Sequence, residues 1–138
     1  MRKNDESLIL LVDDDNVVAS LLSSWLTAAG LKPVVASTGR EAIDKFRLTV
    51  FSAVVLDVDL GEAPDGFGVL EGIRRENVDI PVIMMSGMAN VRMREDAIQR
   101  GASAFLFKPF EAERLVCLIT AWTQGTEPCK KCRVATGD

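Results

Sequence analysis

Three consecutive carboxylates, Asp13, Asp14 and Asp15, follow directly after the apolar run Leu8 to Val12. Two carboxylates held about 4 Å apart repel each other by roughly 4 kcal/mol at the effective dielectric constant of a protein surface. A cation would offset this repulsion. Mg²⁺ suits the position because it binds one or two carboxylates, keeps several waters and takes phosphate oxygens as further ligands. The sequence therefore predicts a magnesium site here, although capping of a helix by Asp14 or Asp15 is an alternative.

Three further polar residues, Asp57, Ser86 and Lys108, each come directly after a later apolar run. A carboxylate can act as a nucleophile and form an aspartyl phosphate. A lysine ammonium group would neutralise the charge of such a site, and a serine hydroxyl would donate a hydrogen bond to a phosphoryl oxygen. Together with the acidic residues near the N-terminus, this set predicts phosphoryl chemistry.

The apolar runs predict the strands that must bring these residues together. Continuous rather than alternating hydrophobicity is typical of strands that are covered on both faces. Because segments with helical spacing separate the runs, we expect one five-stranded parallel sheet in a three-layer, doubly wound α/β domain with right-handed crossovers. Ligands of such sheets bind beyond the carboxyl ends of the strands, where the polar residues stand. The runs are Leu8 to Val12, Pro33 to Ala36, Ala53 to Leu56, Val82 to Met85 and Ala104 to Phe107.

Two helical segments carry additional information. The sequence Thr38-Gly39-Arg40-Glu41 has the form of a capping box and predicts a helix start. The segment Asn90 to Arg100 offers few side chains for burial, so we expect it to be the least firmly anchored helix. Those side chains are Val91, Met93, Ala97 and Ile98.

Composition excludes several classes of function. The 138 residues suit one domain, and the formal net charge of −4 offers no basic face for a nucleic-acid backbone. The chain has no histidine, which excludes imidazole bases, Ser/His/Asp triads and most zinc sites. No apolar run approaches the roughly 20 residues that span a bilayer, and the polar start does not resemble a signal peptide, so we expect a cytoplasmic location.

The composition changes at Gly125, so we expect a folded domain over residues 1–124 and a polar, flexible tail over residues 125–138. The tail carries a single Cys129-Lys130-Lys131-Cys132 motif. Because a structural zinc site needs four ligands, we interpret this motif as solvated, while half a zinc site or a disulfide between two tails stays open. Cys117 falls in an apolar helical pattern and is expected to behave as a small buried hydrophobe.

At these positions the chain resembles the receiver domain of two-component response regulators, of the chemotaxis-regulator type. "LLVDDD" is similar to the family's acidic pair, "VVLDVDL" to its phosphoacceptor strand, "VIMMSG" to its Ser/Thr strand and "FLFKPF" to its Lys-Pro signature. The resemblance spans about Leu8 to Gln124. It implies the flavodoxin-like receiver fold with strand order 2-1-3-4-5.

The resemblance also implies a role for each site residue. Asp57 would accept a phosphoryl group from a phosphohistidine on a sensor histidine kinase or histidine phosphotransfer protein. Asp14 would hold Mg²⁺ directly and Asp13 through water, Asp57 would add a carboxylate oxygen, and Asp59 would add its backbone carbonyl. Lys108 would pair with the acceptor and then with the phosphate, and the Lys108-Pro109 bond would be cis.

Ser86 and Phe105 match the family's switch pair, in which the hydroxyl moves toward the phosphate and the ring follows inward. The implied output is a change of the surface formed by the fourth helix, fifth strand and fifth helix, which would bind a downstream effector; a homodimer is left open. The chain would then be a signalling phosphoacceptor, not an enzyme, with at most self-phosphorylation and autodephosphorylation. No membrane contact and no direct nucleic-acid binding are expected.

Two alternatives and one departure from the family pattern stand beside this interpretation. Asp57-Val58-Asp59-Leu60 superficially fits the DxD nucleophile motif of haloacid-dehalogenase-type phosphatases. A receiver-like module that binds a partner without phosphorylation is the other alternative. The loop between Asp57 and Gly66 is one residue longer than the usual family pattern, with Gly61 where proline is expected, which makes the Asp59 carbonyl the weakest of the implied ligands.

Overall fold

The computed structural model describes residues 7–88 and 90–136. Five strands form one parallel sheet in the order β2-β1-β3-β4-β5, which confirms the predicted fold. Each strand lies within a residue or so of its apolar run, because burial on both faces selects continuous hydrophobic segments. The strands are β1 (Leu8–Val12), β2 (Lys32–Ala36), β3 (Ala53–Asp57), β4 (Val82–Ser86) and β5 (Ala104–Phe107).

Helices connect the strands and cover both faces of the sheet. Asp15 caps the first helix by accepting hydrogen bonds from the backbone N–H groups of Val17 and Val18. Thr38 caps the second helix as predicted by accepting the Glu41 backbone N–H, and Glu41 accepts the backbone N–H of Ser37, one residue before the cap, in a variant of the capping box. The helices are α1 (Asn16–Ala28), α2 (Gly39–Leu48), α3 (Gly66–Glu76), α4 (Val91–Gln99), α5 (Ala112–Thr123) and α6 (Lys130–Arg133), followed by a 3₁₀ turn, Val134–Thr136.

The two faces of the sheet carry separate hydrophobic cores. Alternate strand residues point to opposite faces, so Leu10 and Leu56 join the core with α2, α3 and α4. Leu11 and Val55 join the opposite core with α1 and α5. The three central strands are buried along almost their whole length, which fixes where their carboxyl ends emerge.

Helix α4 is the least buried of the helices that cover the sheet, in agreement with its composition. Ala97 is its one fully buried residue, while Met93 and Ile98 pack partly against the core. Val91 is more than half exposed. Few buried apolar contacts are typical of elements that move or open easily.

The C-terminal segment differs from the flexible tail that we expected. Residues 129–136 turn back onto the domain, and Cys132 and Ala135 are buried in the core beside α5. Side-chain contacts link this segment to the domain: Arg94 of α4 donates to the Val134 carbonyl, and Lys131 pairs with Glu111. The buried contacts of Cys132 and Ala135 and the polar contacts of Arg94 and Lys131 together hold the segment against the domain.

Within residues 7–88 and 90–136, none of the helices has the length and hydrophobicity needed to cross a membrane.

Candidate functional site

The predicted site residues meet at the carboxyl end of the sheet. Asp13 follows β1, Asp57 is the last residue of β3, and Lys108 follows β5. The central strands lie side by side, so residues that are far apart in sequence become neighbours at this edge. Asp13 and Asp57 are buried, whereas Asp14 is exposed at the mouth of the site.

Lys108 bridges the two buried carboxylates. Its Nζ lies 3.0 Å from Asp13 Oδ2 and 3.3 Å from Asp57 Oδ2. The lysine side chain is mostly buried, with 21% of its surface exposed. Charged groups in such a place need partners, because an unpaired buried charge is costly. The geometry therefore joins β1, β3 and β5 through one ammonium group.

The charges perturb each other strongly. Burial raises the pKa of Asp57 to about 6, the negative charge of Asp13 adds to the rise, and Lys108 opposes it. Burial alone would lower the pKa of Lys108, but its hydrogen bonds and the charges of Asp13 and Asp57 outweigh burial and raise it. The site thus carries more negative charge than its one lysine balances.

Three carboxylates could share a cation. One oxygen each of Asp13, Asp14 and Asp57 lies within 4.8 Å of the others. The Gly61 backbone N–H donates to Asp14 Oδ2 at 3.2 Å, which orients this exposed carboxylate toward the site. An oxygen-only donor set of this kind fits Mg²⁺ and does not favour softer metals.

The carboxylate of Asp59 has a role that the sequence did not indicate. Ser86 Oγ donates a hydrogen bond to Asp59 Oδ2 at 2.8 Å and accepts one from the Met88 backbone N–H at 3.1 Å. The Asp59 backbone N–H donates to Asp57 Oδ1 at 3.2 Å. Asp59 therefore links the serine to the acidic cluster, whereas the metal-binding role of its carbonyl stays a prediction. The alternating "LDVDL" pattern placed a second carboxylate nearby but gave no partner for it.

Phe105 lies in the core rather than at the acidic cluster. It is 2% exposed and packs on the face of the sheet that α2, α3 and α4 cover. Its ring meets Phe107 edge to face at 5.5 Å between centroids, and Phe107 is 40% exposed. The contact between the buried Phe105 ring and the partly exposed Phe107 ring therefore connects the core to the surface at β5.

The loops around the site contain two cis peptide bonds. One is Lys108-Pro109, as the resemblance implies, and the other is Ala63-Pro64 in the longer loop after β3. Gly66 begins α3 directly against β3, and a Cβ atom at this position would clash with the carbonyl oxygen of Asp57. Sequence reasoning missed the Ala63-Pro64 bond and this close contact, because both depend on how the loop packs.

Comparison with known proteins agrees with this arrangement. The family profile described as "Response regulator receiver domain" matches residues 9–120. The "Probable transcriptional regulator ycf27" of Porphyra purpurea is 36% identical over 117 residues, which are 85% of this chain and 47% of that protein. This chain thus spans about half of that relative's length.

Solved structures give the same result. The receiver domain of NtrX from Brucella abortus has a TM-score of 0.80 and 31% identity, covering 86% of this chain and 99% of that one. The beryllofluoride-activated NtrC4 receiver domain dimer has a TM-score of 0.80 and 35% identity, covering 86% and 97%. With the sheet order and the acidic cluster, these matches show that the chain belongs to the response regulator receiver domain family of two-component signalling.

Proposed function

We propose that this domain is a Mg²⁺-dependent phosphoacceptor that takes a phosphoryl group on Asp57 and thereby switches a protein-binding surface. The observation that carries the proposal is the bridge from Lys108 to Asp13 and Asp57, with Asp14 open to solvent beside it. A metal ion held by the three carboxylates would supply positive charge to them and to the phosphoryl oxygens.

The donor must be external, because the chain has no histidine. We propose a phosphohistidine on a sensor histidine kinase or a histidine phosphotransfer protein, and exchange in the cytoplasm. An oxygen of the Asp57 carboxylate attacks phosphorus as the P–N bond breaks. The departing ring keeps the electron pair and leaves as neutral imidazole when its other nitrogen carries a proton. Since the pKa of Asp57 is about 6, the attacking carboxylate is ionised at neutral pH.

The hydrogen bond of Ser86 supports a proposal for the switch. Its hydroxyl is bound to Asp59 without phosphate, so it has to leave this carboxylate to donate to a phosphoryl oxygen. We propose that Phe105 then moves with it, and that the weakly anchored α4 changes its packing. The surface of α4, β5 and α5 would bind the effector or a second copy of this chain, since the activated NtrC4 receiver domain is a dimer.

The phosphoacceptor role is tested with acetyl phosphate and Mg²⁺ as a small phosphodonor. Intact-mass spectrometry should show one added phosphoryl group per chain, and Asp57→Asn should abolish it. Asp44→Asn is the matched control, because Asp44 is an exposed aspartate on α2 and its loss should leave labelling unchanged. Full labelling of the Asp57→Asn variant would place the acceptor elsewhere.

Two further measurements separate the alternatives. Sustained turnover of a generic phosphomonoester would favour a haloacid-dehalogenase-type phosphatase over a signalling phosphoacceptor. Equal affinity for a partner with and without phosphodonor would favour a binding module that does not depend on phosphorylation. We expect neither result, because the domain matches the receiver family and contains all five predicted side chains, namely Asp13, Asp14, Asp57, Ser86 and Lys108.

A further inference from the structure

The C-terminal segment brings three cysteine sulfurs together away from the acidic cluster. Cys117 lies on α5, Cys129 precedes α6, and Cys132 lies within α6. The three Sγ atoms all lie within 4.8 Å of one another, and Cys117 Sγ is 3.5 Å from Cys129 Sγ. The sequence presented an isolated CxxC pair and a separate apolar cysteine, so the third sulfur becomes visible only in the fold.

The sulfur spacing matches a metal site. A Zn–S bond is about 2.3 Å long, which places two sulfurs about 3.8 Å apart at tetrahedral angles and about 4.0 Å apart at trigonal angles. The 3.5 Å between Cys117 Sγ and Cys129 Sγ is slightly shorter than these values, and the 4.8 Å limit on all three separations includes them. A disulfide would need the sulfurs at about 2.05 Å, so the structure holds three thiols and not a bridge with a spare cysteine.

The surroundings suit thiolate ligands. The backbone N–H of Cys129 donates to Cys117 Sγ at 3.5 Å, and the backbone N–H groups of Cys132 and Arg133 donate to the Cys129 carbonyl oxygen, which holds this turn together. Three thiolates around a divalent cation leave one net negative charge. Lys130, Lys131 and Arg133 carry positive charge in the same turn, although Lys131 also pairs with Glu111 and Arg133 with Glu127. Outer hydrogen bonds and charges of this kind hold metal ligands in place.

We propose that Cys117, Cys129 and Cys132 form a binding site for a thiophilic divalent cation of the Zn²⁺ and Cd²⁺ class. Three protein ligands leave the fourth position of a tetrahedral ion open to water or to a ligand from a partner. Because the chain has no histidine, that ligand is not an imidazole of this chain. The bound ion would tie the C-terminal segment to α5, next to the proposed effector surface.

The site is chemically distinct from the acidic one. Thiolates select soft metals, whereas carboxylate oxygens select Mg²⁺. Excess Mg²⁺ can therefore occupy the acidic cluster while a second ion probes the sulfurs. This also makes the inference independent of the proposed phosphoacceptor function.

The test uses the full chain, reduced with a phosphine, in excess Mg²⁺. Titration with Cd²⁺ should produce near-ultraviolet sulfur-to-cadmium absorption that saturates at one ion per chain. Cys117→Ser should remove roughly a third of this absorption and weaken Cd²⁺ binding by at least about tenfold, since one of three ligands is lost. Cys129→Ser should do the same, and it avoids the folding cost of changing the buried Cys132.

The matched control is Glu113→Gln, which removes an exposed charge from α5 and should leave the absorption unchanged. Far-ultraviolet circular dichroism checks that each variant is folded. Three results would overturn the proposal: no sulfur-to-cadmium absorption, saturation at one ion per two chains, or full absorption and affinity in Cys117→Ser. The last two would assign binding to CxxC motifs alone.

Discussion

Asp57 combines two properties that oppose each other at the level of a single residue. Its burial and the charge of Asp13 raise its pKa, which favours the neutral acid, while the proposed nucleophilic attack needs the carboxylate. Lys108 opposes this rise in pKa, because its ammonium group donates a hydrogen bond to Asp57 Oδ2 and so favours the ionised form. The residue is therefore ionised under ordinary conditions, but its charge is costly for the folded protein.

This cost predicts how stability depends on pH in the absence of metal. The folded-state pKa of about 6 lies above the ordinary value of 3.8, so the folded protein holds a proton at Asp57 more tightly than the unfolded chain. The contribution of Asp57 to the free energy of unfolding is complete below pH 4 and is lost as pH rises through 6. Asparagine cannot ionise, so Asp57→Asn should not lose this stability as pH rises. In the presence of a metal chelator, we expect its free energy of unfolding to exceed that of the unchanged protein by on the order of 2 kcal/mol at pH 7.5 and by almost nothing at pH 4.

Urea denaturation at both pH values measures this difference. The exposed Asp44→Asn change serves as the control and should shift neither value. A gain for Asp57→Asn that is equal at pH 4 and pH 7.5 would contradict the assignment of the cost to ionisation of Asp57.

Asp59 predicts a second effect at this scale, which rests on the proposed function. Its carboxylate competes with a phosphoryl oxygen for the Ser86 hydroxyl. Asp59→Ala frees this hydroxyl, so the phosphorylated state should gain roughly 1 kcal/mol, which is about fivefold in its population. The measurement is the phosphorylated fraction at a limiting concentration of acetyl phosphate.

Glu62→Ala is the control for Asp59→Ala, because it removes an exposed carboxylate from the same loop without removing a hydrogen bond to Ser86. An equal increase in both variants would mean that net charge, not competition for the serine, sets the phosphorylated fraction.

At the level of elements, the strands and the site positions were the most predictable features. Buried parallel strands leave a continuous apolar run, so β1, β3 and β4 could be placed from the sequence, and the residue after each run marks the carboxyl edge. No comparable sequence pattern predicts which hydrogen-bond partner a side chain will have. The bond between Ser86 and Asp59 joins residues 27 positions apart and depends on the loop after β3. The docked C-terminal segment was missed because Cys132 and Ala135 are too few to form a periodic pattern.

The start of α3 leads to a prediction about how this helix positions Asp57, the proposed acceptor. Gly66 lies so close to β3 that an added Cβ would clash with the Asp57 carbonyl oxygen and lie 2.6 Å from Val58 Cα. Both neighbours are backbone atoms, so Gly66→Ala must displace either α3 or the end of β3. We expect the free energy of unfolding to fall by about 1–3 kcal/mol and the rate of phosphorylation to fall with it.

Gly72→Ala is the matched control within the same helix. A Cβ there would lie 3.4 Å from Ile43 Cδ1, an ordinary contact, and alanine favours helix by about 1 kcal/mol. Urea denaturation should therefore show no loss of stability for Gly72→Ala. Equal stability of the two variants would show that α3 can move away from Asp57 without cost.

At the level of the whole molecule, the site depends on the complete sheet. Asp13 and Lys108 are 95 residues apart and meet only when β1, β3, β4 and β5 are paired. A cation that binds this folded arrangement and not the unfolded chain must stabilise the domain. At a Mg²⁺ concentration ten times its dissociation constant the gain is about 1.4 kcal/mol. For a chain of this size, we expect the melting temperature to rise by about 4 °C.

Thermal denaturation with and without Mg²⁺ measures this shift. Asp14→Asn should reduce it strongly, because Asp14 is exposed and its loss removes a ligand with little cost to folding. Asp44→Asn should retain it. A full shift in Asp14→Asn would place the bound Mg²⁺ away from the acidic cluster.

The C-terminal segment also affects the molecule as a whole, because it lies against the proposed effector surface. A cleft of about 640 Å³ includes Phe105, Phe107 and Arg114 together with Val134 and Ala135 of the segment. An effector that binds α4, β5 and α5 would therefore meet the segment as part of its target.

The two tryptophans make the molecule its own optical probe. Trp25 packs edge to face against Phe110 at 6.1 Å, two residues beyond Lys108, and Trp122 lines a small cleft with Pro128, Arg133 and Thr136. Since the chain contains no tyrosine, its ultraviolet emission comes from these two indoles. Replacing either tryptophan by phenylalanine leaves one fluorophore, either beside Phe110 near the carboxyl end of the sheet or beside the C-terminal segment, so fluorescence can report on each place separately without an attached dye.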